Sequence, residues 1–261
     1  MPTAYSADDG APGIKPKHQW IVSELMAPDS AAFERRIAGF LAEVPDHVHT
    51  ILISTEGLYN HWWDFSEAGR AALGSLAARH EVEVWLWLRE PVAFFLSNYV
   101  QMLINSPQRV KCYGQDWSPE QMFEDDWFRR RLDYGAFLKS AERVFGPGSI
   151  RPFAYRRSTV ADCFTALGLG HMASPEVLVH WSLGEWGVKQ IREVNRSGVG
   201  PSEKAEAVRR IRLEERQVSG LARPLQIEPE LRDRVLEYCA DSLDYLKNRY
   251  GIVLGSGRND Q

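Results

Sequence analysis

Residues Val82-Glu83-Val84-Trp85-Leu86-Trp87-Leu88 form an extended run that is apolar at almost every position on both faces. A strand with one wet face alternates apolar and polar residues. One that is apolar on both faces has to be covered on both, as in a parallel sheet flanked by helices. Its neighbours fit that setting. Before it, residues 66–80 place Ala72, Leu73, Leu76 and Ala77 at helical spacing. After it, Pro91 opens an apolar stretch to Ile104, and proline suits a first helical position because its missing N–H is not needed there. The feature predicts a helix–strand–helix unit.

The same alternation recurs along the chain. Phe33, Ile37, Phe40 and Leu41 predict a helix over Ala31–Val44, capped by Asp29 or Ser30 and closed by Pro45. The β-branched run His49–Ser54 predicts a buried strand. A helix over Tyr134–Phe145 stops at Gly146-Pro147-Gly148, and Ser149–Tyr155 reads as a further strand, with Pro152 at an edge or strand end. Right-handed crossovers would make strands 50–54, 82–88 and 149–155 parallel in one sheet. Residues 105–127 are polar and aromatic and read as a loop or helical excursion. The C-terminal third is helical, over about 202–220 and 229–250, and Arg209–Arg216, interrupted by Glu214 and Glu215, reads as a solvated face. Residues 1–20 are expected to be irregular, and 21–261 to form a single α/β domain.

The composition, 44% hydrophobic and 25% charged over 261 residues, is that of a soluble globular chain. A net charge of −4 argues against a non-specific nucleic-acid binder, yet leaves room for a local site that holds a small anion. Cys112, Cys163 and Cys239 are odd in number and far apart, which predicts reduced thiols and no metal centre. No apolar run reaches the length of a membrane span, and the first residues do not read as a signal peptide. The expected setting is the cytoplasm, without a membrane; the oligomeric state is not legible.

In an open α/β sheet, ligands bind beyond the carboxyl ends of the strands. Two such ends carry notable residues: Ser54-Thr55-Glu56-Gly57, and Arg89-Glu90-Pro91 with Ser97 following on the helix. A guanidinium offers forked donors to phosphate oxygens and a serine hydroxyl adds one more; the alternative for Arg89 is a salt bridge to a nearby acid. Glu56 is either a general base or a helix-capping or arginine-pairing carboxylate. His61, Trp62 and Trp63 are either an acceptor-binding wall or part of a loop that packs its tryptophans into the core, and His61 is a rival to Glu56 as the base.

The segment LREPVAFFLSNYVQ (88–101) resembles the 3′-phosphate-binding segment of the nucleotide-sulfate-dependent sulfotransferases, in which a strand ends in Arg and Ser follows eight residues later. ILISTEGL (51–58), FLKSAERVFGPGSIRPFAYRR (137–157), CFTALGLG (163–170), VNRSGVGPSEKA (194–205) and YCADSLDYLKNRYG (238–251) resemble further stretches of that family in the same order. The resemblance implies an α/β fold, a parallel sheet flanked by helices of the P-loop-kinase-like sulfotransferase type, with a helical C-terminal part. It implies 3′-phosphoadenosine 5′-phosphosulfate as sulfate donor, no metal, and a hydroxyl or amine of a carbohydrate or small molecule as acceptor. Arg89 and Ser97, with Arg196 and Ser197, would hold the 3′-phosphate; Glu56 would be the base.

One departure stands against this pattern. The family's first strand and its Gly-x-x-Lys-[ST]-Gly-[ST]-[ST] loop, which hold the 5′-phosphosulfate, have no counterpart in the sequence; Gly10-Ala-Pro-Gly-Ile-Lys15 lacks a preceding strand. The fold is therefore expected without its first strand, and the truncated chain as written is expected to be poorly active or inactive. Whether it is an enzyme stays open between a sulfotransferase homologue and a non-catalytic nucleotide-, sugar- or protein-binding descendant. A kinase or GTPase is disfavoured, since no Walker A sequence occurs.

Overall fold

A computed structural model describes residues 19–105, 112–156, 158–170, 183–217 and 223–255. The irregular segment expected at 1–20 thus lies outside the described residues as far as residue 18, and the glycine stretch 10–15 lies wholly outside them. Of the described residues about 65% are helical, and they include a small two-stranded parallel sheet.

In chain order the elements are α1 (Gln19–Leu25), α2 (Ala31–Ala42), α3 (Gly57–Asn60), a 3₁₀ turn (Trp62–Asp64) and α4 (Glu67–Arg79). Then come β1 (Val84–Leu88), α5 (Pro91–Ile104), α6 (Pro119–Glu124), α7 (Asp126–Arg129), a second 3₁₀ turn (Arg130–Leu132) and α8 (Tyr134–Phe145). The chain continues with β2 (Ile150–Ala154), α9 (Thr159–Ala166), α10 (Glu185–Arg196), α11 (Pro201–Gln217) and α12 (Pro229–Tyr250).

Local chemistry sets the helix limits. Glu90 caps α5 by accepting from Ala93 N at 2.8 Å, with Pro91 in the first turn. Ser118 and Gln121 close a reciprocal capping box on α6. At the end of α12, Gly251 takes the left-handed conformation, φ 66°, that glycine adopts without strain. At the start of α2, Ser30 sits at the cap position but turns its hydroxyl to Glu34, and Asp29 accepts from Ala31 N.

Strands β1 and β2 run in parallel register: Val84 N donates to Ser149 O at 2.8 Å, and Tyr155 N to Leu88 O at 2.7 Å. Trp87 and Phe153 stack across the pair, 5.2 Å apart and 19° from coplanar.

The third expected strand is not there. Residues 50–54 have no regular structure, and Ile51, Leu52 and Ile53 are exposed, Leu52 by 58%. An apolar run becomes a strand only when a neighbour pairs with its backbone, and the described sheet holds β1 and β2 alone. Such an exposed β-branched run is a site for self-association. Leu52→Lys should therefore lower concentration-dependent light scattering while changing denaturation stability by no more than about 0.5 kcal/mol.

The chain divides into two compact units, residues 1–85 with 136–151, and residues 86–135 with 152–261. In the first, Trp62 is the centre of the core. It is fully buried, its ring meets Phe65, Phe137 and Phe145, and its Nε1 donates to Ser140 Oγ at 3.0 Å. In the second, α5 is the central helix. Phe95, Tyr99 and Leu103 pack with Phe128, Ile191 and Val235 in one apolar cluster. Burial pushes the Tyr99 phenol up to about 12, and its OH donates to Trp117 O at 2.9 Å.

The C-terminal end of α5 is held by Lys204 of α11. Its Nζ is buried and donates to Leu103 O and Asn105 O, both at 2.7 Å, so a cation closes the negative end of the helix. Desolvation lowers the ammonium pKa to about 8. Because the folded value lies below the ordinary 10.5, the unfolded chain keeps this proton between those two pH values while the folded one loses it. Stability must then rise with pH in that window. Denaturation of the wild type and of Lys204→Met, compared from pH 7 to 10.5, should show the difference moving towards the wild type above pH 8, by on the order of 2 kcal/mol. A pH-independent difference would remove the buried charge from this account.

Candidate functional site

The carboxyl end of β1 passes directly into α5, and this corner places Arg89 and Ser97 together. Arg89 Nη1 donates to Ser97 Oγ at 3.2 Å. The ring of Tyr155, at the carboxyl end of β2, lies over the guanidinium with 4.2 Å between Arg89 Cζ and the ring centroid. Among the described residues Arg89 forms no ion pair. Of the two alternatives for this residue, the salt bridge to a neighbouring acid is the one the geometry lacks: Glu90, next in sequence, spends its carboxylate on the α5 cap. A guanidinium held by a hydroxyl and an aromatic face, without a counter-charge, can donate its N–H groups to the oxygens of a phosphate or sulfate.

Two further residues belong to this corner. Tyr134, fully buried, donates its OH to Arg89 O at 2.9 Å. Arg156, exposed, follows Tyr155 and adds positive charge beyond β2. Sequence reasoning did not single out Tyr155 or Tyr134. For Tyr155 the signal was its place at the end of the strand 149–155; for Tyr134 the sequence carries none, since its partner is a main-chain carbonyl 45 residues away.

Arg196 and Ser197 are not brought to this corner. Arg196 pairs with Asp116 at 3.1 Å and with Glu193 at 2.7 Å, and Ser197 Oγ donates back to Val194 O. The neighbouring Asn195 donates from Nδ2 to Leu103 O and Gln115 O, which ties this turn to the C-terminal end of α5. At 1.5 Å per residue, that end lies about 20 Å along the helix from Arg89.

In the other compact unit, Glu56 precedes α3, is exposed, and makes no capping hydrogen bond; Thr55 Oγ1 takes Gly57 N instead. The alternative of Glu56 as a side-chain cap is thereby excluded. His61 Nδ1 lies 3.0 Å from Asp64 Oδ2, an orienting contact for one ring nitrogen. Trp62 corrects the expectation of an acceptor-binding wall. It is wholly buried, because an indole that finds both an aromatic cage and a hydroxyl partner gains more by entering the core than by facing solvent. Trp63 is partly buried.

Among the described residues, no group of three or more His, Cys, Asp or Glu could hold a metal ion, and no helix is long and apolar enough to cross a membrane. Compared with known proteins, the chain matches no family model, no curated protein and no solved structure.

Proposed function

We propose that this chain is a sulfotransferase homologue whose Arg89 and Ser97 hold the 3′-phosphate of 3′-phosphoadenosine 5′-phosphosulfate. The observation that carries the reading is the guanidinium at the carboxyl end of β1, bonded to Ser97, faced by Tyr155 and paired with no carboxylate among the described residues. A strand-end arginine kept without an acid partner is what an anionic ligand requires. The parallel β1–β2 pair with its intervening helices is consistent with a P-loop-kinase-like sulfotransferase sheet.

In the reaction, an acceptor hydroxyl or amine of a carbohydrate or small molecule attacks sulfur as the bond to the phosphate oxygen breaks. A base takes the acceptor proton and the nucleotide leaves as adenosine 3′,5′-bisphosphate. The base in this reading is Glu56, whose exposed carboxylate is not used as a cap. Transfer needs no metal and is placed in the cytoplasm.

A non-catalytic binding descendant of the same fold is the second reading. It is favoured by the burial of Trp62, which removes one element of the expected acceptor wall. The deciding experiment is calorimetric titration of the protein with adenosine 3′,5′-bisphosphate, followed by assay with labelled phosphosulfate donor and sugar acceptors. Saturable binding with turnover supports the enzyme; binding without turnover supports the second reading; no binding removes both forms of the nucleotide reading. If turnover is found, Glu56→Gln should lower it by about 10²–10⁴-fold and leave the nucleotide affinity unchanged.

A further inference from the structure

We infer that Tyr134, itself fixed by Ser242 of the C-terminal helix α12, is the positioning residue for Arg89; the inference rests on the reading of Arg89 as a phosphate ligand. The connection is built from buried polar groups whose partners lie in sequence-distant segments. Ser242, 3% exposed, donates from Oγ to Asp133 Oδ1 at 2.6 Å and accepts from Gly135 N at 3.0 Å. It therefore grips the residues on both sides of Tyr134. Three residues earlier on α12, Cys239 Sγ reaches Leu132 O at 3.5 Å, so the same helix face holds the approach to that turn. The fit is close: a Cβ on Gly135 would stand 3.2 Å from Ser242 Oγ and 3.3 Å from its Cα.

Tyr134 then spans from this anchor to the strand end. Its ring meets Phe94 edge to face at 5.7 Å, and its hydroxyl donates to Arg89 O at 2.9 Å. The carbonyl of Arg89 is the last main-chain acceptor before Glu90 and Pro91 turn the chain into α5, so the bond fixes the residue whose side chain carries the charge. Tyr155 N, on Leu88 O, fixes the residue before it. A flexible guanidinium loses rotamer freedom on binding an anion, and a backbone pinned in advance lessens that loss. Tyr134 touches no ligand in this scheme; it acts through Arg89.

The test uses the full chain and two readouts. The first needs no ligand: NMR relaxation of the Arg89 Nε–Hε group, with the Trp62 indole as an internal control. Tyr134→Phe should make Arg89 more mobile and leave Trp62 unchanged. The second is the Kd of adenosine 3′,5′-bisphosphate for wild type, Tyr134→Phe, Arg89→Ala and the double variant. Tyr134→Phe should weaken binding by about 2- to 10-fold alone and by nothing in the Arg89→Ala background. A purely structural role would lower affinity equally in both backgrounds, and that result overturns the inference, as does an Arg89 group unaffected by Tyr134→Phe. If wild type binds no nucleotide while Arg89 still loosens in Tyr134→Phe, the positioning role stands and the nucleotide reading falls. Should Tyr134→Phe fail to fold, Ser242→Ala, which leaves the phenol in place, is expected to loosen Arg89 in the same way, and an unchanged Arg89 there overturns the link.

Discussion

Arg89→Ala is expected to weaken the binding of adenosine 3′,5′-bisphosphate by about 10- to 150-fold, because a charge-assisted hydrogen bond contributes about 1.5–3 kcal/mol. The size follows from the surroundings of the guanidinium. Its only described polar side-chain partner is the neutral hydroxyl of Ser97, so truncation leaves no carboxylate stranded and no compensating pair. The loss read in Kd is thus the loss of ligand contacts. Ser97→Ala removes one neutral donor and should cost about 2- to 10-fold. The two losses should not add, since Ser97 also orients Arg89. Affinity that survives Arg89→Ala unchanged would show that the phosphate is held elsewhere or not at all. Thermal denaturation of both variants belongs with the titration, and neither midpoint should move far, because among the described residues Arg89 closes no ion pair.

The parts of this molecule legible in the sequence are those fixed by local chemistry. Pro91, Pro229 and Gly251 mark helix limits through a missing N–H or an allowed positive φ, and α5 and α12 fall at the expected ranges 91–104 and 229–250. The strand at 82–88 was likewise readable, since so dense an apolar run admits few alternatives, and it differs from β1 by two residues at its start. The run 50–54 has the same composition as a strand but no neighbour to pair with, and pairing is a property of two segments that no single window contains.

The candidate site divides along the same line. Arg89 and Ser97 are grouped by the family resemblance, and because they sit eight residues apart across one strand–helix corner, the local fold brings them into contact. Arg196 and Ser197 are grouped with them by the family resemblance of the segment 194–205, whereas Asn195 and Lys204 tie that turn to the opposite end of α5 through main-chain carbonyls. Carbonyl partners leave no mark on composition. Trp62 shows the complementary difficulty, because an aromatic beside a polar pair reads equally well as a ligand platform or as core. Its burial depends on Phe137, Ser140 and Phe145 arriving from more than 70 residues later in the chain.

Glu215 is where charge patterning misleads most, and it yields the largest expected effect on stability. Within the arginine-rich stretch 209–216 it reads as one more solvated carboxylate, yet it is only 6% exposed. Its carboxylate caps α10 from another helix. Gly184 N donates to both oxygens, at 3.0 and 3.1 Å, and Gly187 N donates to Oε1 at 3.0 Å. The amides at a helix N-terminus carry partial positive charge and lack intrahelical partners, which a buried carboxylate can supply from within the fold. Both glycines are needed for so close an approach. A Cβ on Gly187 would stand 2.9 Å from Glu215 Oε1 and 2.8 Å from Leu183 Cδ2, and one on Gly184 would overlap Arg223 O. Glu215→Ala removes the charged acceptor and leaves the two amides buried, so it should destabilise the fold by about 3–5 kcal/mol. Glu215→Gln keeps one oxygen for the amides but directs an NH₂ towards them, and should fall between wild type and alanine. Urea denaturation of the three proteins is the measurement. With the slope unchanged, the midpoints should rank wild type, glutamine, alanine. Equal midpoints for wild type and Glu215→Ala would mean that the α10 amides find water or another acceptor at no loss, and that the carboxylate is not what holds this helix end.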